Sequence, residues 1–241
     1  MGIAEALMKV EAQIINAANK AGRNAADIKL VVVTKTVETR KIIEAIQAGA
    51  VILGENRVQE ARKKIESYEL RVTPPGIPPL VRGGAGGVEW HLIGNLQKNK
   101  ARTAVQLFDL IHSVDSEALA EEINSHARKT GKKQRVLVQV KLSDEAAKHG
   151  IIENNLMDLL KKIAGLDCLK LEGLMTIPPY FEDPEKARPY FRRLRQLADK
   201  AIGKGFTIDE LSMGMSNDFE VAIEEGATMV RIGTAIFGER E

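Results

Sequence analysis

Lys35, Ser216, Arg231, Gly233 and Thr234 carry the groups in this sequence best suited to holding an anionic, electrophilic small molecule. Lys35 ends the run Leu30-Val31-Val32-Val33-Thr34. A lysine that leaves a buried strand with its stem against apolar walls is partly desolvated. Desolvation disfavours the charged form and makes the amine nucleophilic enough for a Schiff base. A surface lysine that merely ends a strand is the plainer reading. Ser216 closes Leu211-Ser212-Met213-Gly214-Met215-Ser216-Asn217-Asp218 just ahead of a helix, and Gly233-Thr234 follow Val230-Arg231-Ile232. The hydroxyls of Ser216 and Thr234 and the amides of Gly233 and Thr234 could donate to a phosphate dianion, with glycine permitting close backbone approach. A helix cap at Ser216 or Asn217 and a turn glycine at Gly233 form the alternative. Arg231 cannot give up its proton. Facing a pyridine nitrogen, it would donate a hydrogen bond and keep that nitrogen unprotonated; otherwise it forms an ordinary ion pair.

Further polar groups fall where strands should end. Asn56, in Gly54-Glu55-Asn56-Arg57, could polarise a ligand or cap the next helix, as could Glu55. His91 could stack on a flat ligand or fill a barrel mouth, and Met175 with Thr176 ends a later strand. His112 reads as packing or as support for a neighbouring group. No His/Cys/Asp cluster has metal-ligand spacing, so no metal is expected.

Alternating strand and helix signals supply the scaffold that must position these residues. The three valines, stiff at χ1 and without polar alternation, fit a strand buried on both faces of a parallel sheet. Strands are expected at 51–53, 88–93, 110–114, 136–140, 169–175, 209–212 and 228–232 as well. Helices are expected between them, with Thr39 and Ser116 as caps and Gly49 and Gly131 as stops. Leu7, Val10, Ile14, Ile15 and Ala18 place an extra amphipathic helix before the first strand. Eight strands alternating with helices indicate a single (β/α)8 TIM barrel of α/β class, whose chemistry collects at the carboxyl ends of its strands. Residues 1–241 form one domain in this reading, and the proline- and glycine-rich segment 71–87 is an inserted loop. Gly83-Gly84-Ala85-Gly86-Gly87 lies within that loop and precedes a strand, so it is not a dinucleotide-binding turn.

The composition narrows the partners. Lys and Arg number 35 against 33 Asp and Glu, a balance that gives no reason to expect nucleic acid. No stretch approaches the roughly 18 apolar residues of a membrane span, and the amino terminus lacks a hydrophobic signal core. The single Cys168 excludes an internal disulfide and reads as structural, and a cytoplasmic setting is expected.

Six segments together resemble the signature blocks of the pyridoxal phosphate homeostasis protein family. They are Val33-Thr34-Lys35-Thr36, Gly54 to Glu60, Trp90 to Lys100, Gly173 to Ile177, Leu211 to Asp218 and Val230 to Gly238. The resemblance spans essentially the whole chain. It implies a lone alanine-racemase-like barrel of fold-type III that carries pyridoxal 5'-phosphate as a Schiff base on Lys35 and serves vitamin B6 and amino-acid homeostasis. By the same resemblance, Ser216, Gly233 and Thr234 hold the phosphate, Arg231 faces the ring nitrogen, and Asn56, His91 and Met175 border the ring. The family often has a second lysine shortly after the first, whereas Val37 and Glu38 follow Thr36 here.

A racemase needs a base on each face of its substrate, and two-domain racemases take the second, a tyrosine, from another subunit's extra domain. Of Tyr68, Tyr180 and Tyr190, only Tyr180 falls in a loop that could serve. The expectation is therefore a cofactor carrier without its own turnover, monomeric, with cofactor-dependent apoenzymes as recipients. An amino-acid racemase or related enzyme is the alternative, and a cofactor-free Schiff-base aldolase is a third reading.

Overall fold

The structure of this chain is a computed structural model, which describes residues 2–71, 87–143, 145 and 149–238. Within the expected inserted loop, residues 72–86 lie outside the described residues. The strands are β1 (Lys29–Val33), β2 (Ile52–Glu55), β3 (Glu89–Leu92), β4 (Leu110–Val114), β5 (Gln134–Lys141), β6 (Ile151–Ile152), β7 (Leu169–Met175), β8 (Glu210–Met215) and β9 (Met229–Ile232). The helices are α1 (Ile3–Lys20), α2 (Thr39–Gln47), α3 (Val58–Arg71), α4 (Ala101–Leu107), α5 (Glu117–Lys129), α6 (Leu156–Ala164), α7 (Arg188–Ile202), α8 (Phe219–Glu224) and α9 (Thr234–Phe237).

Every strand pairing is parallel. β1 bonds to β2 on one side and β9 on the other, and β4 bonds to β5, so eight strands close into a ring without edges. The two-residue β6 adds only to the end of β5. It is too short to leave a periodic signal in the sequence. β8 and β5 run longer than expected, and Glu38, not Thr39, takes the N-cap position of α2. Ser116 precedes α5 as expected.

The valines of β1 divide between two cores. Val31 and Val33 pack inside the barrel with Ile93, Leu110, Leu137, Met175 and Met229. Val32 packs outward with the helical layer, which includes Leu7, Val10 and Ile14 of α1 and Ile42 of α2. Strand alternation thus explains why all three had to be apolar. α1 covers the flank where the chain's first and last units meet, against α2, α8 and α9. Ile15 is 47% exposed, unlike the rest of its expected face. One residue beyond Ile14 it is turned about 100° away from the core. No described helix is long and apolar enough to cross a membrane.

One glycine marks how tightly the ring is drawn. Gly173 pairs with Glu210 across β7 and β8, beside an irregularity in the β5–β7 register. A Cβ built at Gly173 would lie 1.8 Å from the Glu210 carbonyl oxygen, so any side chain there must push the strands apart. Gly173→Ala is expected to cost about 3 kcal/mol. Gly165→Ala, whose Cβ would meet nothing closer than 3.5 Å, should change stability by less than about 1 kcal/mol. Urea unfolding at unchanged m-value measures both, and equal midpoints for the two variants would refute the steric account.

Candidate functional site

The exit of β1 is held from beneath by a buried ion cluster. Thr34 faces outward toward α3, on the opposite side from Val33. Its hydroxyl donates to Glu55 Oε1 at 2.6 Å. Lys64 of α3 donates to Thr34 O at 2.5 Å, to Glu55 Oε1 at 2.7 Å and to Glu60 Oε1 at 2.6 Å. Glu60 in turn accepts the Thr36 N–H at 2.5 Å. These bonds grip the backbone on both sides of Lys35. Thr36 is held at φ +59°, a left-handed conformation that costs a threonine about 1–2 kcal/mol and persists only where its surroundings impose it. Glu55 is fully buried, and its Oε2 has no hydrogen-bond partner among the described residues. Burial raises its pKa, against the opposing pull of its hydrogen bonds from Lys64 and Thr34.

Above this clamp lies a cavity of about 510 Å³ at the carboxyl ends of the strands. Its lining includes Lys35, Asn56, Ser216, Arg231, Gly233 and Thr234. Gly233 is pressed against β1, since a Cβ there would sit 3.1 Å from the Val33 carbonyl oxygen. That approach sets the last loop beside the Lys35 turn. The Gly233 N–H donates to Ser216 Oγ at 3.4 Å, and the N–H groups of Thr234 and Ala235, at the start of α9, have no partner within that helix. The hydroxyls of Ser216 and Thr234 and the backbone of Gly233 and Thr234 therefore collect at one wall. A larger neighbouring cavity, about 1020 Å³, shares Ser216, Asn217 and Thr234 but runs outward along α1 and α8, away from Lys35 and Arg231.

Arg231 occupies the floor of the site and is only 3% exposed. Its Nη1 donates to Ser212 Oγ at 2.6 Å and its Nη2 to Thr176 O at 2.9 Å. Burial lowers its pKa to about 10, with Asp218 opposing the shift. It therefore stays cationic at neutral pH. Asp218, raised by burial, accepts the Met215 N–H at 2.6 Å and so shapes the turn that carries Ser216.

Of the eight residues expected at the site, the two others take different places. His91 and Met175 are fully buried and lie outside the cavity lining. Met175 belongs to the barrel's apolar interior, and His91 bonds to Glu89 and His112. Gln139, His149 and Tyr180 line the cavity instead, along with Asn95 from the block Gly94-Asn95-Leu96-Gln97. Gln139 sits near the end of β5, where strand alternation could have marked it. His149 comes from a loop that carries no periodic signal.

The residues present fit a phosphorylated pyridine aldehyde. An amine, a buried cation with N–H donors and no acceptor, and a wall of hydroxyls and amides match an aldehyde, an unprotonated ring nitrogen and a phosphate dianion respectively. Among the described residues, no group of His, Cys, Asp and Glu is placed to hold a metal ion.

The model of the alanine racemase N-terminal domain matches residues 7–241. The chain is 43% identical to the pyridoxal phosphate homeostasis protein of Aquifex aeolicus over 242 residues, covering 100% of each. It is 41% identical to the protein of the same name from Escherichia coli K12, over 99% of this chain and 97% of that one. Among solved structures, PipY of Synechococcus elongatus PCC7942 with PLP bound superposes with a TM-score of 0.83 at 35% identity, covering 98% of this chain and 100% of that one.

The clamp beneath Lys35 makes a testable demand. Lys64→Met leaves Glu55 buried without its cation and should cost about 3 kcal/mol. Glu55 would then bind a proton in the folded state well above its unfolded pKa. Stability of the variant should therefore fall as pH rises from about 5 to 8, the native state holding more protons than the unfolded one. Adding Glu55→Gln should remove that slope. Chemical denaturation across this range measures it, and a pH-independent deficit in the single variant would reject the buried-pair account.

Proposed function

The chain belongs to the alanine racemase N-terminal domain family, among the pyridoxal phosphate homeostasis proteins, and we propose that it binds pyridoxal 5'-phosphate and holds it covalently through Lys35. The observation that carries this reading is the convergence of Lys35, Arg231 and the Ser216, Gly233 and Thr234 wall on one cavity of about 510 Å³. The PLP-bound PipY structure supports it. When bound, the cofactor supplies an aldehyde that condenses with amines and a pyridine ring that withdraws electrons.

The roles of the chain's own residues follow from their chemistry. Ser216 and Thr234 donate hydroxyl protons, and Gly233 and Thr234 lend backbone N–H groups, to the phosphate. Arg231 donates to the ring nitrogen and, having no acceptor, leaves it unprotonated. This weakens the ring as an electron sink. Asn56 borders the ring from the end of β2. Lys35, gripped by its clamped turn, presents its amine to the aldehyde carbon.

The arrangement favours keeping and releasing the cofactor over turning over an amino acid. Among the described residues Tyr180 is the one tyrosine lining the cavity, and it is 77% exposed. A group so solvated is not fixed in place, as a second base must be. Recipients would be apoenzymes that take up the released cofactor, and the protein itself would have no catalytic residues.

Addition of pyridoxal 5'-phosphate to the purified protein should produce a visible absorption band, and borohydride should then fix one adduct, on the peptide containing Lys35. Lys35→Ala should abolish both. Incubation of the loaded protein with L- and D-amino acids should leave their chirality unchanged. An adduct on another residue, or none, would sink the binding reading; racemisation lost in Lys35→Ala would replace the carrier with an enzyme.

A further inference from the structure

A line of hydrogen bonds crosses the barrel interior beneath the cofactor cavity. Arg231 Nη1 donates to Ser212 Oγ at 2.6 Å; Ser212 Oγ meets His112 Nδ1 at 2.9 Å; His112 Nε2 meets His91 Nδ1 at 3.0 Å; and His91 Nε2 meets Glu89 Oε2 at 3.0 Å. At its far end Glu89 also accepts from Arg135 Nη1 at 2.9 Å, and Arg135 Nε donates to Glu172 at 2.9 Å. Ser212, His112 and His91 are fully buried, so no solvent competes for these bonds.

The carboxylate end fixes the direction of every proton along the line. Glu89, lowered to about 2 chiefly by its bond from His91 and by Arg135, is ionised and can only accept. His91 must therefore donate to it from Nε2. Burial keeps both rings neutral by lowering their pKa values, so the Nδ1 of His91 is an acceptor and His112 must donate to it from Nε2. The Nδ1 of His112 is then an acceptor too, and the Ser212 hydroxyl donates to it. This leaves the Ser212 lone pairs for Arg231, which has no acceptor to offer. The carboxylate sets this orientation, and Arg231 is compatible with it because it needs only a lone pair of Ser212 Oγ. The negative end of each dipole faces the guanidinium, and the positive end of each faces the carboxylate.

We propose that Glu89, His91, His112 and Ser212 act as one directional chain that positions Arg231, fixing its guanidinium plane so that its remaining N–H donors face the cavity. None of the four lines that cavity, so each acts through Arg231. Thr176 O holds the second amino group, and the guanidinium cannot swing toward the phosphate wall without breaking both bonds. The chain rests on hydrogen-bond geometry together with the charge states of its members, while its effect on a ring nitrogen rests on the function proposed above.

Nitrogen-15 NMR of the histidine-labelled, cofactor-free protein at neutral pH tests the chain directly, with His91→Gln and His112→Gln assigning the signals. The expected result is two neutral rings, each with its proton on Nε2. A charged ring, or a proton on Nδ1 of either, would overturn the proposal. Glu89→Gln ends the chain in an amide that can donate as well as accept, so Nδ1-protonated forms should emerge in both rings. After addition of pyridoxal 5'-phosphate, the visible band of Glu89→Gln should move from its wild-type position, while the dissociation constant changes by less than about tenfold. Wild-type tautomers in that variant, or altered tautomers with an unmoved band, would refute the positioning role. Ser212→Ala cuts the chain at its other end and should move the band likewise, which keeps the test open should Glu89→Gln not fold. If the wild-type protein takes up no cofactor, the proposed function fails, and the tautomers still decide the chain.

Discussion

The parallel pairing of β1 with β9 is the constraint on which the candidate site depends. Val31 lies in register with Arg231 and Val32 with Ile232, which brings the two ends of the chain side by side at the same height. From that register the Lys35 turn and the Gly233 loop leave the barrel together, and Gly233 rests against Val33. Ring closure through β4 and β5 keeps the pairing from slipping, because a parallel barrel has no free edge along which a strand could shift. A slip of one residue would turn Arg231 out of the interior and Val33 away from its core.

Charge burial around this closure is arranged in two separate systems. Outside β1, the Lys64 ammonium is shared among Thr34 O, Glu55 and Glu60 and immobilises the backbone around Lys35. Inside the barrel, Arg231 is stabilised by aligned neutral dipoles and by Asp218. The strand alternation that divides Val32 from Val31 and Val33 also divides Thr34 from the cavity-facing Lys35. The outward position can thus be dedicated to rigidity and the inward one to chemistry.

The proposed function, reversible custody of a cofactor, would draw on this construction. In that proposal the Ser216, Gly233 and Thr234 wall and the guanidinium would supply recognition from rigid strand ends, the placement that gives precise geometry. In the proposed function, Arg231 opposite the ring nitrogen would limit the electron withdrawal on which amino-acid turnover depends. One barrel can serve different functions because function resides in the side chains at the strand exits and not in the barrel.

The sequence by itself determined the barrel and most of the polar residues that line its candidate site. Buried strands advertise themselves as apolar runs, and Lys35, Asn56, Ser216, Arg231, Gly233 and Thr234 stand where those runs stop; all six line one cavity. Tertiary structure alone decided the rest. The side-chain period of β3 could not say whether His91 would reach the ligand layer or the layer beneath it, because depth along the barrel axis depends on how neighbouring strands stagger. It lies in the lower layer, joined to His112 across β3 and β4. The role of Lys64 was equally hidden. On a helical wheel it is one more lysine of a charged helix, and only the docking of α3 against β1 and β2 places its ammonium beneath Thr34. Local periodicity reports which face of an element is buried, whereas the partners met there are set by contacts between residues far apart in the chain.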